Sequence, residues 1–173
     1  MFIRILTISA AALVLAACHK PGGGTESPMA PKVSEAGTPE AQAFMAKTAK
    51  EPGVVTLPNG LEYKIIRSGP TTGLKPHLQD EVKIMYEGKL IDGTVFDSSY
   101  ERGQPASFPL KQLVPAWQQA LPLMRPGDEW ILYVPPKLGY GTEGNEKIPP
   151  GSALIFRIEL IDFLPGPGRV QQG

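Results

Sequence analysis

The sequence predicts an α+β domain in which a twisted antiparallel β-sheet wraps across one short α-helix. Three observations lead there. Between residues 53 and 164 apolar side chains recur at every second position in several separate runs, the spacing that buries one face of a strand. Within that span only Pro115 to Leu123 offers an apolar stretch with helical company. Gly and Pro number 19 each, which suits a domain broken by many turns better than a helical bundle.

The elements follow in chain order. Residues 1–17 carry one cation, Arg4, and then an uncharged apolar run from Ile5 to Ala17, the layout of an export signal. That run falls short of the roughly 20 residues a membrane-spanning helix needs. It ends in Leu15-Ala16-Ala17-Cys18, and Cys18 is the only cysteine, so an internal disulfide is impossible. Residues 18–38 are dense in Gly, Pro and Ser and read as a flexible tether. A short helix is expected over 39–52, with Thr38 as N-cap and Pro39 in the first turn.

Strands are expected at Leu61 to Arg67, around Val82, Ile84 and Tyr86, around Trp130, Leu132 and Val134, and through Leu154, Phe156, Ile158 and Leu160. Asp92-Gly93 marks a hairpin turn. Pro115 suits the first turn of the internal helix and Pro122 discourages its extension. The domain thus runs from 53 to 164 and is expected to fold without the preceding helix, with a disordered tail at 165–173.

Composition narrows the chemistry. Basic and acidic residues balance at 17 each, so no electrostatic footprint for nucleic acid exists. The two histidines, His19 and His77, lie in the tether and in a loop without ligand spacing, which leaves no metal site and no Ser-His or Cys-His nucleophile. Gly139-Tyr140-Gly141 lacks the Lys-Ser/Thr and the strand-loop-helix context of a phosphate loop. No cofactor is implied. What remains is an aromatic and aliphatic set: Tyr86, Phe96, Phe108, Leu113, Val114, Trp117, Tyr140, Ile148 and Phe156. It suits an apolar pocket for a ring such as proline. Taken singly, Trp117, Ile148 and Phe156 read as plain core, Tyr140 as a turn residue, and Asp97 before Ser98-Ser99 as a turn cap.

Their order in the chain changes that reading. YEGKLIDGTVFDSS at 86–99 is followed by VPAW at 114–117, LGYG at 138–141 and IPPGSALIF at 148–156. Together these resemble an FKBP-type peptidyl-prolyl isomerase, and GVVTLPNGLEYKIIRSG at 53–69 narrows the resemblance to the bacterial macrophage infectivity potentiator branch. The resemblance implies that Trp117 is the pocket floor, with Tyr86, Phe96, Leu113, Val114, Ile148 and Phe156 as walls and Phe108 beside them. It implies that the Tyr140 hydroxyl donates to a substrate carbonyl, and that Asp97 organises the Tyr86 hydroxyl near Arg102.

Two departures stand out. Ala106 takes the place of a rim phenylalanine found in some relatives, which should open that wall, and Asn145-Glu146-Lys147 is a more polar loop than in many. In longer members a long helix ends near residue 50 after an N-terminal dimerisation module. This chain is expected to lack that module, so the family's dimer is not carried over.

The function implied is isomerisation of X-Pro bonds in cell-envelope polypeptides without covalent catalysis, with macrolides as inhibitors. A non-catalytic chaperone that holds Pro-containing segments, or a structural spacer lipoprotein, would use the same residues differently. The LAAC ending resembles a lipobox, making Cys18 a lipid anchor, although an ordinary secretory signal containing a cysteine has the same layout. His19 stands where an aspartate would mark inner-membrane retention, so the outer membrane is the expected address.

Overall fold

The computed structural model describes residues 33–168. The export signal, Cys18, His19, most of the tether and the end of the tail lie outside that range. The elements are α1 (Pro39–Thr48), β1 (Val54–Thr56), β2 (Glu62–Arg67), β3 (Glu81–Leu90), β4 (Val95–Ser98), β5 (Ala106–Pro109), α2 (Pro115–Ala120), β6 (Glu129–Val134) and β7 (Leu154–Leu164). Every strand pairing is antiparallel, in the order β1-β2-β6-β7-β3-β4, with β5 also on β3. No helix among the described residues is long and apolar enough to cross a membrane.

The period-two pattern does what the sequence says. Val82, Ile84 and Tyr86 on β3, Trp130, Leu132 and Val134 on β6, and Leu154, Phe156, Ile158 and Leu160 on β7 are all buried in one core. The chain α2, continued by a 3-10 turn at Leu121–Leu123, lies against this face through Ala116, Trp117, Ala120 and Leu121. The hairpin turn joins β3 to β4. Gly93 takes a φ of 92° there, and Asp92 accepts the Thr94 amide at 2.8 Å.

On the outer edge of β3, β4 pairs with Glu87 to Lys89 and β5 with Glu81 to Ile84. The chain between them, residues 99–105, leaves the sheet just beside Tyr86. Neither β1 nor β5 was expected from the sequence, because runs of three or four residues are too short to show a period.

Two boundaries need correcting. α1 starts as expected, with the Thr38 hydroxyl accepting the Ala41 amide at 3.1 Å, but the α-helix ends at Thr48. It is also docked on the domain. Ala41 is only 1% exposed, Phe44 meets Tyr133 edge-to-face with centroids 6.0 Å apart, and the Thr48 hydroxyl bonds the buried Glu62 carboxyl at 2.5 Å. At the other end, the Gly166 amide donates to Asp80 at 2.9 Å, so the start of the expected disordered tail is held. A chain starting at Gly53 would leave Glu62 without its hydroxyl partner and uncover the Tyr133 edge. Urea unfolding should therefore place its midpoint below that of a chain starting at Val33, by an amount equivalent to roughly 1–3 kcal/mol; equal midpoints would show that α1 contributes nothing.

Candidate functional site

Four strands, α2 with the segment entering it, and one loop converge on one cavity. Tyr86 comes from β3, Phe96 and Asp97 from β4, Phe108 from β5, Phe156 from β7, Leu113 and Val114 from the segment entering α2, Trp117 from α2, and Tyr140 from the loop after β6. These nine residues line a cavity of about 200 Å³. It is smaller than the roughly 300–1,000 Å³ of pockets that enclose a drug-sized ligand. Such a space admits one side chain of a longer molecule.

The floor and walls are an aromatic stack held edge to face. Trp117 meets Tyr86 at 5.2 Å and 76°, and Phe156 at 5.1 Å and 84°. Phe156 meets Phe96 at 5.7 Å and 87°, and Phe108 closes on Tyr86 at 6.1 Å. Edge-to-face contacts match a positive ring edge to a negative ring face, so each ring fixes the next. Tyr86 is held further by Ser99, whose hydroxyl accepts the Tyr86 amide at 2.7 Å. Val114, just ahead of Pro115, starts α2 with extended backbone.

The polar side of the cavity is a closed chain. The Tyr86 hydroxyl donates to one Asp97 oxygen, Arg102 Nη1 donates to the other at 2.5 Å, and Arg102 Nη2 donates to the Tyr86 oxygen at 2.9 Å. Burial pushes the Asp97 carboxyl up, but the Tyr86 hydroxyl and the guanidinium outweigh it and hold the group below the ordinary carboxylate value. Burial, and then the bond to Asp97, push the Tyr86 phenol up. Burial raises the Tyr140 phenol too, helped by the Asp97 charge. Asp97 is thus an anion with both oxygens taken, while Tyr140 is a neutral O–H donor, 37% exposed at the rim.

Two expected site residues are placed elsewhere. Ile148 is 1% exposed, belongs to the core and does not line the cavity; its backbone is instead tied to Asn145, whose side chain accepts the Ile148 amide at 2.9 Å. Arg102 is absent from the lining and acts on it from behind, through Asp97 and Tyr86. Ala106 pairs with Ile84 and packs beside the core without reaching the cavity.

Three contributors were given no role in the site by the sequence. Ser99 positions Tyr86. Gly88 makes room, since a Cβ there would lie 2.6 Å from the Phe96 ring and 2.8 Å from that of Phe156. Lys147 Nζ donates to the Phe96 carbonyl at 3.3 Å and ties the polar loop to β4. The glycine inside YEGKL was a usable signal, because a strand glycine marks a close approach; the other two contacts depend on the fold. Among the described residues no group of three His, Cys, Asp or Glu side chains is placed to hold a metal.

Comparison with known proteins places these features in a family. Residues 73–161 match the family described as FKBP-type peptidyl-prolyl cis-trans isomerase. Residues 25–65 match the domain amino-terminal to FKBP-type peptidyl-prolyl isomerase, so the stretch expected to lack that module carries part of its pattern. The chain is 53% identical over 123 residues to the peptidyl-prolyl cis-trans isomerase Mip of Coxiella burnetii, covering 70% of this chain and 53% of that protein. It is 45% identical to the outer membrane protein MIP of Legionella longbeachae, covering 75% of this chain and 55% of that one. The crystal structure of FkpA from Escherichia coli superposes with a TM-score of 0.70 at 41% identity, over 74% of this chain and 59% of the other. The chain therefore spans about half the length of the curated relatives it matches.

The lowered pKa of Asp97 has a definite sign in stability. A carboxyl whose folded value lies below its unfolded value, about 3.9, stabilises the fold above that value and loses the contribution as pH falls toward the folded one. Urea midpoints of wild type and Asp97→Asn should therefore differ near pH 7, and the gap should narrow as the pH falls below about 3.9. A gap unchanged across that range would show that ionisation of Asp97 contributes nothing to stability.

Proposed function

The chain belongs to the FKBP-type peptidyl-prolyl cis-trans isomerase family, and from that membership and the pocket's chemistry we propose that it accelerates rotation about X-Pro bonds in cell-envelope polypeptides. The observation that carries the reading is an aromatic cavity sized for one ring, whose only carboxylate has both oxygens engaged. Rotation about the X-Pro bond must break amide resonance, a barrier of about 18–20 kcal/mol between planar states that differ by only about 0.5–1 kcal/mol. No bond to the enzyme is needed. A pocket helps by holding the ring, stripping water from the carbonyl and fitting the twisted amide better than either planar form.

Each residue then has a part. The proline ring rests on Trp117, against Tyr86, Phe96, Phe108 and Phe156, with Leu113 and Val114 on the α2 side. The Tyr140 hydroxyl donates to a substrate carbonyl. Asp97, fixed by Tyr86 and Arg102, presents an oriented charge beside the twisting amide and does not exchange a proton. Macrolides that present a comparable ring compete for the same cavity.

None of the three titratable lining groups, Asp97, Tyr86 and Tyr140, is shifted toward neutrality. Hence kcat/KM, measured by exchange spectroscopy on short X-Pro peptides at substoichiometric protein, should be nearly flat between about pH 6 and 8. A tenfold change there in folded protein would mean that a protonation step matters. Trp117→Ala should abolish turnover and cost about 3–5 kcal/mol of stability, whereas Tyr140→Phe should keep the fold and lose part of the rate. Binding of Pro peptides without catalysed exchange would favour the chaperone reading instead.

For localisation, the export-signal layout and the printed name of the Legionella relative support the bacterial cell envelope, with the outer membrane as the finer assignment. Cys18, at the end of LAAC, is the proposed acylation site. Cys18→Ala should move the protein out of the membrane fraction or leave it unprocessed. Processed wild-type protein that carries no lipid by mass spectrometry would remove the anchor.

A further inference from the structure

Tyr140 stands on the loop between β6 and β7, residues 135–153. Its side chain makes no hydrogen bond of its own among the described residues, so the backbone decides where the hydroxyl points. Two residues anchor that backbone. The amides of Gly139 and Gly141, on either side of Tyr140, both donate to the Pro136 carbonyl, at 3.0 and 2.8 Å, and the Gly141 carbonyl accepts the Gly151 amide at 2.9 Å. The Tyr140 carbonyl accepts the Gly144 amide at 3.0 Å, a bond inside the loop. Pro136 and Gly151 are thus the fixed points from which Tyr140 reaches the cavity.

Both points are gripped by one short segment ahead of α1. Residues 33–38 turn back on themselves, with the Gly37 amide donating to the Ser34 carbonyl at 2.8 Å, and the side-chain amide of Gln42 on α1 donates to the Gly37 carbonyl at 3.0 Å. Gly37 is buried. A Cβ on it would lie 2.5 Å from Pro136 Cγ and 2.8 Å from the Gly151 carbonyl oxygen, and its φ of 88° favours glycine in any case. The next amide, that of Thr38, donates to the same Gly151 oxygen at 3.1 Å. Val33 adds a third contact, since a Cβ on Gly151 would run into its Cγ1. α1 itself docks further along, through Phe44 on Tyr133 and Thr48 on Glu62, so the grip on the loop is a separate contact.

We infer that residues 33–38 are a positioning clamp for Tyr140. Gly37, Thr38 and Val33 line no part of the aromatic cavity; they hold Pro136 and Gly151, and through these the place of the hydroxyl that donates to a substrate carbonyl. The inference rests on the isomerase reading for that donation. A hydrogen-bond donor has little tolerance, because a displacement of about 1 Å originating far from the chemistry can cost about a hundredfold in rate.

Two variants of the full chain, Gly37→Ala and Val33→Ala, disturb the clamp and leave the loop sequence untouched. On a short X-Pro peptide kcat/KM should fall about fivefold or more in Gly37→Ala and about twofold in Val33→Ala, with the same division between KM and kcat that Tyr140→Phe shows. In a Tyr140→Phe background neither change should have a further effect, a result that loss of stability alone does not produce. Urea midpoints check that the variants are folded, and Val33→Ala carries the test if Gly37→Ala is not. The Tyr140 ring signals of the chain labelled with 13C-tyrosine, identified by their loss in Tyr140→Phe, should move in both variants and so report the clamp without reference to catalysis. An inactive wild type whose Tyr140 signals still move would refute the isomerase reading and uphold the clamp. The clamp is overturned if folded variants turn over the peptide as wild type does, if the Tyr140 signals stay in place, or if the loss persists undiminished in the Tyr140→Phe background.

Discussion

The site depends on one wedge: Trp117 held between Tyr86 and Phe156 where α2 crosses the sheet. The helix is only six residues long, Pro115–Ala120, too short to persist by its own backbone bonds. It exists because Ala116, Trp117 and Ala120 are buried against β3, β6 and β7. Trp117 is thus both the main anchor of α2 and the floor of the cavity. The two edge-to-face contacts add about 0.5–1.5 kcal/mol each beyond the area they bury. Through Phe156 the contact runs on to Phe96 on β4, and that approach requires Gly88 on the neighbouring strand. Stability and recognition therefore reside in the same rings, which gives the cavity the fixed shape that catalysis without a covalent step demands.

Much of this was legible because the features concerned are periodic or ordered along the chain. Alternation exposed the core faces of β3, β6 and β7, Asp92-Gly93 marked the hairpin, and the succession of YEGKLIDGTVFDSS, VPAW and LGYG contains six of the nine residues that line one cavity. The limits are physical. The motif around Ile148 is legible, but not that its side chain turns into the core while its neighbour Lys147 reaches β4. α1 shows no broad apolar stripe: it docks through a small residue, Ala41, a single aromatic, Phe44, and a polar one, Thr48, whose partner Glu62 lies across a turn and a strand. Periodicity cannot reveal an interface made that way.

The electrostatics of the aromatic cavity explain why a charged residue suits a site that moves no proton. A lone carboxylate among aromatic rings would be driven up in pKa by desolvation and would end as a neutral acid or a reactive base. Arg102 and Tyr86 prevent both outcomes by occupying one oxygen each, and Arg102 also lies 5.5 Å from the centre of the Tyr86 ring, where its charge meets the ring face. The fixed anion raises the Tyr140 phenol and so helps to keep its proton in place for donation to a carbonyl. The hydrogen bonds that keep Asp97 from acting as a base are therefore the same ones that orient its field. Arg102 lies outside the lining, yet it bears on the pKa of both Asp97 and Tyr86: without the guanidinium, burial of Asp97 would be opposed only by the Tyr86 hydroxyl and the Ser98 amide, and its carboxyl would rise.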